Sequence, residues 1–405
     1  MKYLPKYMQL LKVLFLATMF FNAVVYASQS KLRTNAFLGV GIANVDHNNF
    51  LGDERRTATI IDASINATYS WSGNLSLNGQ ISYREFGDSL SDEKPRIDYL
   101  NITYVTNQLL FGEQTFSLGR VKNKMGIYND FRDIPTAKPS ILLPQSVYLD
   151  VYRNLFLSVD GLSINSAFDS DFGSIQLQLA LGEINFDDSM NETSLGKLVD
   201  GRWREDAAFL TDLRWLYKGY LVSFSYSQFA PTFEAAPNDI IRISPDTMAI
   251  RVIDGEVELT NYIYSFQKNW NNFELVVEYA YRNFEVKDLL AFPVGARRPM
   301  EGYYIQGRYH LNEKLTLLTR WERYFRSADD KKGERLKALG LEGWADHSIT
   351  KSIGLKYQLN KRWSVFAEVH RITGSGYFPP FALPSSFAVE NRDSILGAAE
   401  LVYRF

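Results

Sequence analysis

The sequence predicts an all-β fold: a transmembrane antiparallel β-barrel of about 16 strands, with long extracellular loops, short periplasmic turns and an inward-folded third loop. Three observations carry that expectation. Aromatic residues make up 14% of the 405 positions although 22% are charged, a combination that suits a wall apolar outside, wet inside and ringed by aromatics at both membrane interfaces. Segments of strict apolar–polar alternation recur along the chain, and the joints between them alternate between tight turns and long connections. The same composition excludes other classes. A helical transporter needs repeated apolar runs of roughly 20 residues, and only the first 27 positions come close. With no cysteine there is no disulfide framework, and 7 Trp, 24 Tyr and 27 Phe do not belong to a disordered chain.

The start of the chain reads as an address. Lys2, Lys6 and Lys12 precede the apolar stretch Val13 to Tyr26, and Val25-Tyr26-Ala27 offers small or modest residues at the positions a signal peptidase reads. Residues 1–27 are therefore expected to be a signal peptide and 28–405 a single barrel domain. Taking those three lysines from the 44 basic residues leaves about 41 against 46 acidic ones, a mature charge of about −5. A nucleic-acid partner is not expected of so acidic a chain.

Sixteen alternating segments follow, near residues 33–45, 57–70, 74–86, 95–106, 109–121, 154–167, 173–184, 206–217, 219–229, 256–268, 272–284, 300–311, 313–326, 348–359, 361–373 and 393–405. In one of them Ile353, Leu355, Tyr357 and Leu359 share a face, with Ser352, Gly354, Lys356 and Gln358 on the other. A strand with lipid on one side and water on the other has this period of two. Trp71-Ser72-Gly73, Thr106-Asn107-Gln108, Ser170-Asp171, Lys218-Gly219, Asn269-Trp270-Asn271, Asn312-Glu313 and Asn360-Lys361 are tight turns of the Gly/Asn/Asp kind. The connections between them run to about 10–30 residues, the sorting expected when turns face the periplasm and loops the outside.

The last segment ends on an aromatic. Phe405, Tyr403, Leu401, Ala399, Gly397 and Ile395 form one face, which resembles the terminal signal that barrel assembly machinery reads on bacterial outer-membrane proteins. Closure of this segment onto the first would remove both sheet edges, which lipid demands because it offers no hydrogen bonds.

The third long connection differs from the others. From Lys122 to Asn154 it carries Pro135, Pro139 and Pro144 around an apolar anchor, Ile141-Leu142-Leu143, that an exposed loop has no use for. A long irregular segment of this kind is usually functional, and the available surface for the anchor is the inside of the wall. Arg120, Lys122, Lys124, Arg132 and Lys138 stand there against Asp130, Asp133 and Asp150. Opposed charges across a narrow passage create a transverse field that orients polar solutes; the same groups can instead be salt bridges that pin the loop.

The stretch Ser117, Gly119-Arg120-Val121-Lys122, Met125-Gly126-Ile127-Tyr128 and Arg132-Asp133 resembles the segment that ends a strand and opens the inner loop in the phosphate-selective porin family, the porin O/P-like superfamily. The likeness covers about fifteen residues and the overall architecture. It implies a porin-like barrel whose third loop bends into the lumen as a constriction. The chain departs from that family in two ways: Lys124 stands where proline is frequent, and its basic residues are scattered rather than stacked as a ladder of arginines.

Alternation places Arg214, Arg282, Arg308, Arg320 and Lys356 inward with Glu278, Glu322, Glu368 and Glu400, as charges solvated by pore water. The four histidines, His47, His310, His347 and His370, form no metal or nucleophile motif, so neither enzyme, metal nor cofactor is expected. Asp46-His47-Asn48-Asn49 and Asp187-Asp188 read as solvated loop clusters before cation sites. The expectation is an outer-membrane porin of a Gram-negative bacterium, passing small hydrophilic solutes or ions passively, in contact with outer-membrane lipid and assembled as a trimer. Alternatives are a surface, adhesion or structural barrel without an open channel, and a barrel hydrolase. A lumen of this size argues against an interior filled by strand side chains alone.

Overall fold

The computed structural model of the chain describes residues 31–405 apart from 48–49, 52–55, 88–93, 108–111, 185, 187–190, 192–194, 197, 205–206, 242–248, 290–296, 339 and 379–390. The expected leader, and Asn48, Asn49, Asp187 and Asp188, lie outside the described residues.

Sixteen long strands form the wall: β1 Leu32–Val45, β2 Thr57–Ser70, β3 Leu75–Phe86, β4 Arg96–Thr106, β5 Glu113–Lys122, β6 Ser158–Ser170, β7 Gly173–Glu183, β8 Ala207–Tyr217, β9 Tyr220–Phe229, β10 Gly255–Asn269, β11 Phe273–Lys287, β12 Arg297–His310, β13 Leu315–Phe325, β14 His347–Gln358, β15 Trp363–Gly374 and β16 Asp393–Arg404. Each pairs antiparallel with its sequence neighbour, and β16 returns to β1 with Phe37 opposite Arg404 and Val45 opposite Leu396. Closure satisfies the backbone of both terminal strands, the condition for crossing lipid. Short strands add to the wall: Thr232–Glu234 pairs with the start of β10 and with Arg202–Arg204 in the same sheet, while Ile240–Ile241 and Ile250–Arg251 form a separate two-stranded sheet.

Alternation sorts the side chains as the sequence requires. On β14 the Ile353 side chain points out, 72% exposed, between buried Ser352 and Gly354. Beside the tight turns, the Tyr69–Trp71, Trp215–Tyr217, Trp270–Phe273 and Trp363–Tyr403 ring pairs build an aromatic girdle on the rim that carries those turns. Phe405 packs with Ala36 and Ala63 and donates its backbone N–H to the Ala36 carbonyl at 3.1 Å, so the last residue sits on the seam where the sheet closes.

One segment starts later than its pattern predicts. Residues 154–157, expected to open β6, belong to the short helix Arg153–Leu157, and the strand begins at Ser158. Leu155 and Phe156 are needed inside, in the cluster that holds the third loop, and a strand would turn alternate side chains away from it. A bulge between β3 and β4 has a similar effect. The register slips at Gln80/Ile81, where Gln80 pairs with Tyr99 and Ile81 with Ile97, so Asp98 has no place in the strand register and is buried facing the lumen.

Candidate functional site: the inner loop

The chain from Asn123 to Leu157 folds into the barrel as a series of short helical turns, and Asn129 helps to tie its two stems. Asn129 donates from Nδ2 to the carbonyls of Asn123 and Phe156, both at 2.9 Å. Past that tie the loop needs a close approach to the wall, and Gly126 supplies it. Gly126 adopts φ +59°, and a Cβ there would lie 2.5 Å from the Tyr148 hydroxyl and 2.6 Å from Glu278 Oε1. At the far side Gly302 of β12 lies under the loop, where a Cβ would meet the Ser146 carbonyl.

Glu278 is the hub of one anchor. Its carboxylate accepts the Ile127 backbone N–H at 2.9 Å, the Ser265 hydroxyl at 2.6 Å and the Tyr148 and Tyr304 hydroxyls at 2.5 Å each. Four donors on one buried carboxylate compensate for the lost hydration. Glu368 and Arg320 form the second anchor. Glu368 accepts the Ile141 and Leu142 amides, and Arg320 donates to the Leu142 carbonyl at 3.1 Å. Between the two, Glu322 accepts the Ser146 N–H at 2.9 Å, and the Arg282 guanidinium donates to the Val147 carbonyl.

Most of the loop's own charges are paired. Arg132 donates to Asp150 at 2.7 Å, and Arg84 of β3 approaches the same carboxylate at 3.3 Å. Burial works against the Asp150 anion, yet these two guanidiniums hold its carboxyl below the ordinary range. Lys138 bridges to Asp62 of β2 at 2.9 Å, with Glu400 beside that pair. Asp130 meets Arg214 of β8 at 3.3 Å, and Asp133 takes Lys122 and Gln80. Among the described residues Lys124 has no carboxylate at salt-bridge distance; burial and the neighbouring Arg214 push its ammonium below the usual lysine value.

Of the residues the sequence singled out, the structure brings Lys122, Lys124, Asp130, Arg132, Asp133, Lys138 and Asp150 into the lumen, with Arg214, Glu278, Arg282, Arg320, Lys356 and Glu368 on the facing wall. Arg120 does not join them. It is the cross-strand partner of Leu100 and Asp160 and follows Leu118, 63% exposed, by two residues, so it faces outward and pairs there with Asp160 at 2.5 Å. The glycine at 119 and the lysine at 122 made the stretch read as one inner cluster, but period two sends 118 and 120 to the same outer face, and Lys122, the last residue of the strand, departs from it by turning in to Asp133. Arg308 stands apart from the loop, forked onto Glu274 at 2.6 and 2.7 Å.

Pore water does not solvate most of the expected lumenal charges; Glu278, Arg282, Arg320, Glu322 and Glu368 are buried against the loop. The loop shares two apolar clusters with the wall. Ile141 and Leu142 pack with Ala58, Ile60, Leu396 and Ala398 on one side, while Leu143, Val147 and Tyr148 pack with Leu259, Ile263, Val276 and Ala280 on the other. Below the loop, towards the tight turns, the lining is amide and hydroxyl: Thr68 donates to Asn78 at 2.9 Å, Asn78 to Thr103 at 3.0 Å, and Thr103 contacts Ser117 at 3.2 Å. Asp62, Arg84 and Asp98 were missed by sequence reasoning. Alternation in their segments marks the first two as inward; the bulge hides the third.

His370 lies between Ser352 Oγ, 2.7 Å from Nδ1, and Glu368, 3.0 Å from Nε2. Glu368 already serves two loop amides, and the adjoining cavity of about 20 Å³, lined by His370, Arg320, Glu322 and Leu142, has room for one water. The trio is an extension of the loop anchor. Among the described residues no group of three metal-ligating side chains gathers, and Asp46 uses its carboxylate on the His47 and Ile395 amides.

Neither a family model nor a curated protein sequence matches the chain. Solved outer-membrane barrels do match in structure. OmpT, an outer membrane protein of Vibrio cholerae, superposes with a TM-score of 0.56 at 12% identity, over 92% of this chain and 97% of that one. The anion-selective porin from Comamonas acidovorans gives 0.55 at 10% identity, over 92% and 99%. Salmonella typhi OmpF, solved in complex with daunomycin, gives 0.56 at 12% identity, over 92% and 97%. At such identities the likeness carries the architecture, and the architecture of this chain is the porin-like closed barrel of sixteen antiparallel strands.

Proposed function

We propose that this chain is an outer-membrane porin of a Gram-negative bacterium, a passive diffusion channel for small hydrophilic solutes or ions, narrowed by the loop of residues 122–153. The observation that carries the reading is a charged loop held at mid-barrel by wall side chains, above a vestibule of amides and hydroxyls. A wall designed only to be filled has no need of that polar lower half. The short likeness to phosphate-selective porins around Lys122 and the porin architecture support the same reading. It includes removal of residues 1–27, insertion by the barrel assembly machinery with Tyr403 and Phe405 as signal, and assembly as a trimer; a trimer form of the Vibrio cholerae barrel is among the solved structures that match. No enzymatic step is part of it.

A second reading, a closed surface barrel, is favoured by one feature: the loop bonds to wall strands on several sides of the lumen and packs into two apolar clusters. Planar-bilayer recording separates the two. Stepwise single-channel conductance with a reversal potential in a salt gradient is expected of the porin; silent bilayers containing correctly folded protein would leave the closed barrel.

A further inference from the structure

The outer face of the wall is apolar over most of its height, which makes charges on it informative. Three cations stand there on adjacent strands. Lys351 of β14 is the direct cross-strand partner of Arg371 of β15, in a row that runs from Trp321 to Ile395, and Arg323 of β13 lies one step nearer the long loops, opposite Ile349. The next outward residues towards the periplasm are Ile353 and Val369, both exposed. Like charges directly opposite each other on a sheet repel. The wall offsets this only in part: Asp393 approaches Arg371 at 4.0 Å, the Arg323 guanidinium lies 4.5 Å from the Phe325 ring centroid with its Nε left without a hydrogen bond, and no ion pair reaches Lys351 among the described residues. Arg323 also acts on His347 together with Arg392 and Lys337, so the positive field continues onto the rim. On the neighbouring flank the sign is opposite, with Glu256 and Glu258 sharing Lys287.

Height points to the occupant. Arg371 lies eight residues from the periplasmic girdle residue Trp363, about 26 Å along a strand, which under the usual tilt carries it across most of an apolar band of about 25 Å. From there an Arg or Lys extends its head to the lipid headgroups while its stem stays in the apolar layer. Trp321, in the same row, is a residue of the type enriched at membrane interfaces. We propose that Arg323, Lys351 and Arg371 form a binding site for the phosphate groups of an anionic lipid headgroup in the leaflet on the long-loop side. Guanidiniums grip phosphate through two N–H donors and the ammonium adds a point charge, which relieves the repulsion within the row. The proposal rests on the barrel spanning a membrane with its long loops outward, and not on an open channel.

Native mass spectrometry of the detergent-solubilised full barrel tests it, with a bisphosphorylated glycolipid, the same lipid dephosphorylated, and inorganic phosphate as probes. The parent is expected to retain the bisphosphorylated lipid, and the triple variant R323Q/K351Q/R371Q to retain at least tenfold less, while R120Q, an outward arginine on another flank, retains it fully. All three positions face outward, so gel mobility before and after boiling should confirm that each variant still folds. Equal retention of the dephosphorylated lipid, or by the triple variant, overturns the proposal. Displacement of the lipid by millimolar inorganic phosphate makes this an ion site and overturns the lipid assignment. A changed number of copies with lipid retention intact makes the face a contact between protomers, again against it. Recovery of the barrel outside the membrane fraction is the separate failure of the porin reading.

Discussion

Glu368 of β15 accepts the backbone N–H of Leu142 at 2.8 Å across a sequence separation of 226 residues, and that of Ile141 at 3.0 Å. One wall carboxylate thus fixes the tip of the inner loop by its backbone, whatever side chains the tip carries. Hydrogen bonds to a charged acceptor contribute about 1.5–3 kcal/mol each. Glu368→Ala is expected to lower the thermal midpoint and to raise and broaden single-channel conductance, with an unchanged β-type circular dichroism spectrum. Conductance and midpoint both equal to the parent would remove Glu368 from the anchor.

The apolar half of the anchor is tested separately. Ile141, Leu142 and Leu143 are 2%, 6% and 2% exposed, and they pack on opposite sides, the first two with Leu396 and Ala398, the third with Val147 and Tyr148. Each buried side chain of this size is worth about 1.5–3 kcal/mol. Replacing all three by Ser should free the loop, increase conductance and weaken discrimination between solutes in liposome swelling. Unaltered swelling rates would mean the loop does not bound the passage.

Charge and position can be separated with two single variants. Lys124→Gln removes a lumenal cation that, among the described residues, lacks a carboxylate at salt-bridge distance, and it is expected to shift the reversal potential towards cation preference. The shift should shrink at 1 M salt, where screening acts over about 3 Å. Arg120→Gln alters a side chain on the outer face and should leave the potential unchanged. The opposite ranking would contradict the inward and outward assignment of the two residues.

Asp150 gives a pH test with a defined sign. Its carboxyl is held below the ordinary range in the folded protein, so its contribution is fully present above the unfolded value of about 4 and is lost as pH falls through the lower folded value. The stability gap between the parent and Asp150→Asn should therefore stay constant from pH 8 to pH 5 and narrow only in stronger acid. A gap that closes already between pH 7 and pH 5 would refute the Arg84 and Arg132 assignment.

Phe405 caps the closing seam on Ala36 and forms an edge-on ring contact with Tyr403, centroids 4.7 Å apart. Deleting it is expected to reduce the amount of heat-modifiable protein in the outer membrane several-fold, whereas an insertion into residues 327–347 is tolerated. Equal amounts with and without Phe405 would leave the terminal aromatic without a role in assembly.

The sequence by itself determined the wall. Period two is a local property: once Ile353, Leu355 and Tyr357 alternate with Ser352, Gly354 and Lys356, their faces are settled wherever the strand pairs, and the sorting of short turns against long loops fixes the order of pairing. The same rule already contained the outward direction of Arg120, which its basic neighbours obscured. The Asp98 bulge and the helix at Arg153–Leu157 were out of reach, because each breaks the period to satisfy partners distant in sequence, Arg153 and Gln80 for the first and the core around Leu155 and Phe156 for the second. Only the tertiary structure decided what the inward charges do. Alternation says that Glu278, Arg320 and Glu368 face the lumen, but whether they meet water or the amides of Ile127 and Leu142 depends on how a loop without periodicity crosses the barrel. That path is set by the summed bonds of many strands and is written in no single segment.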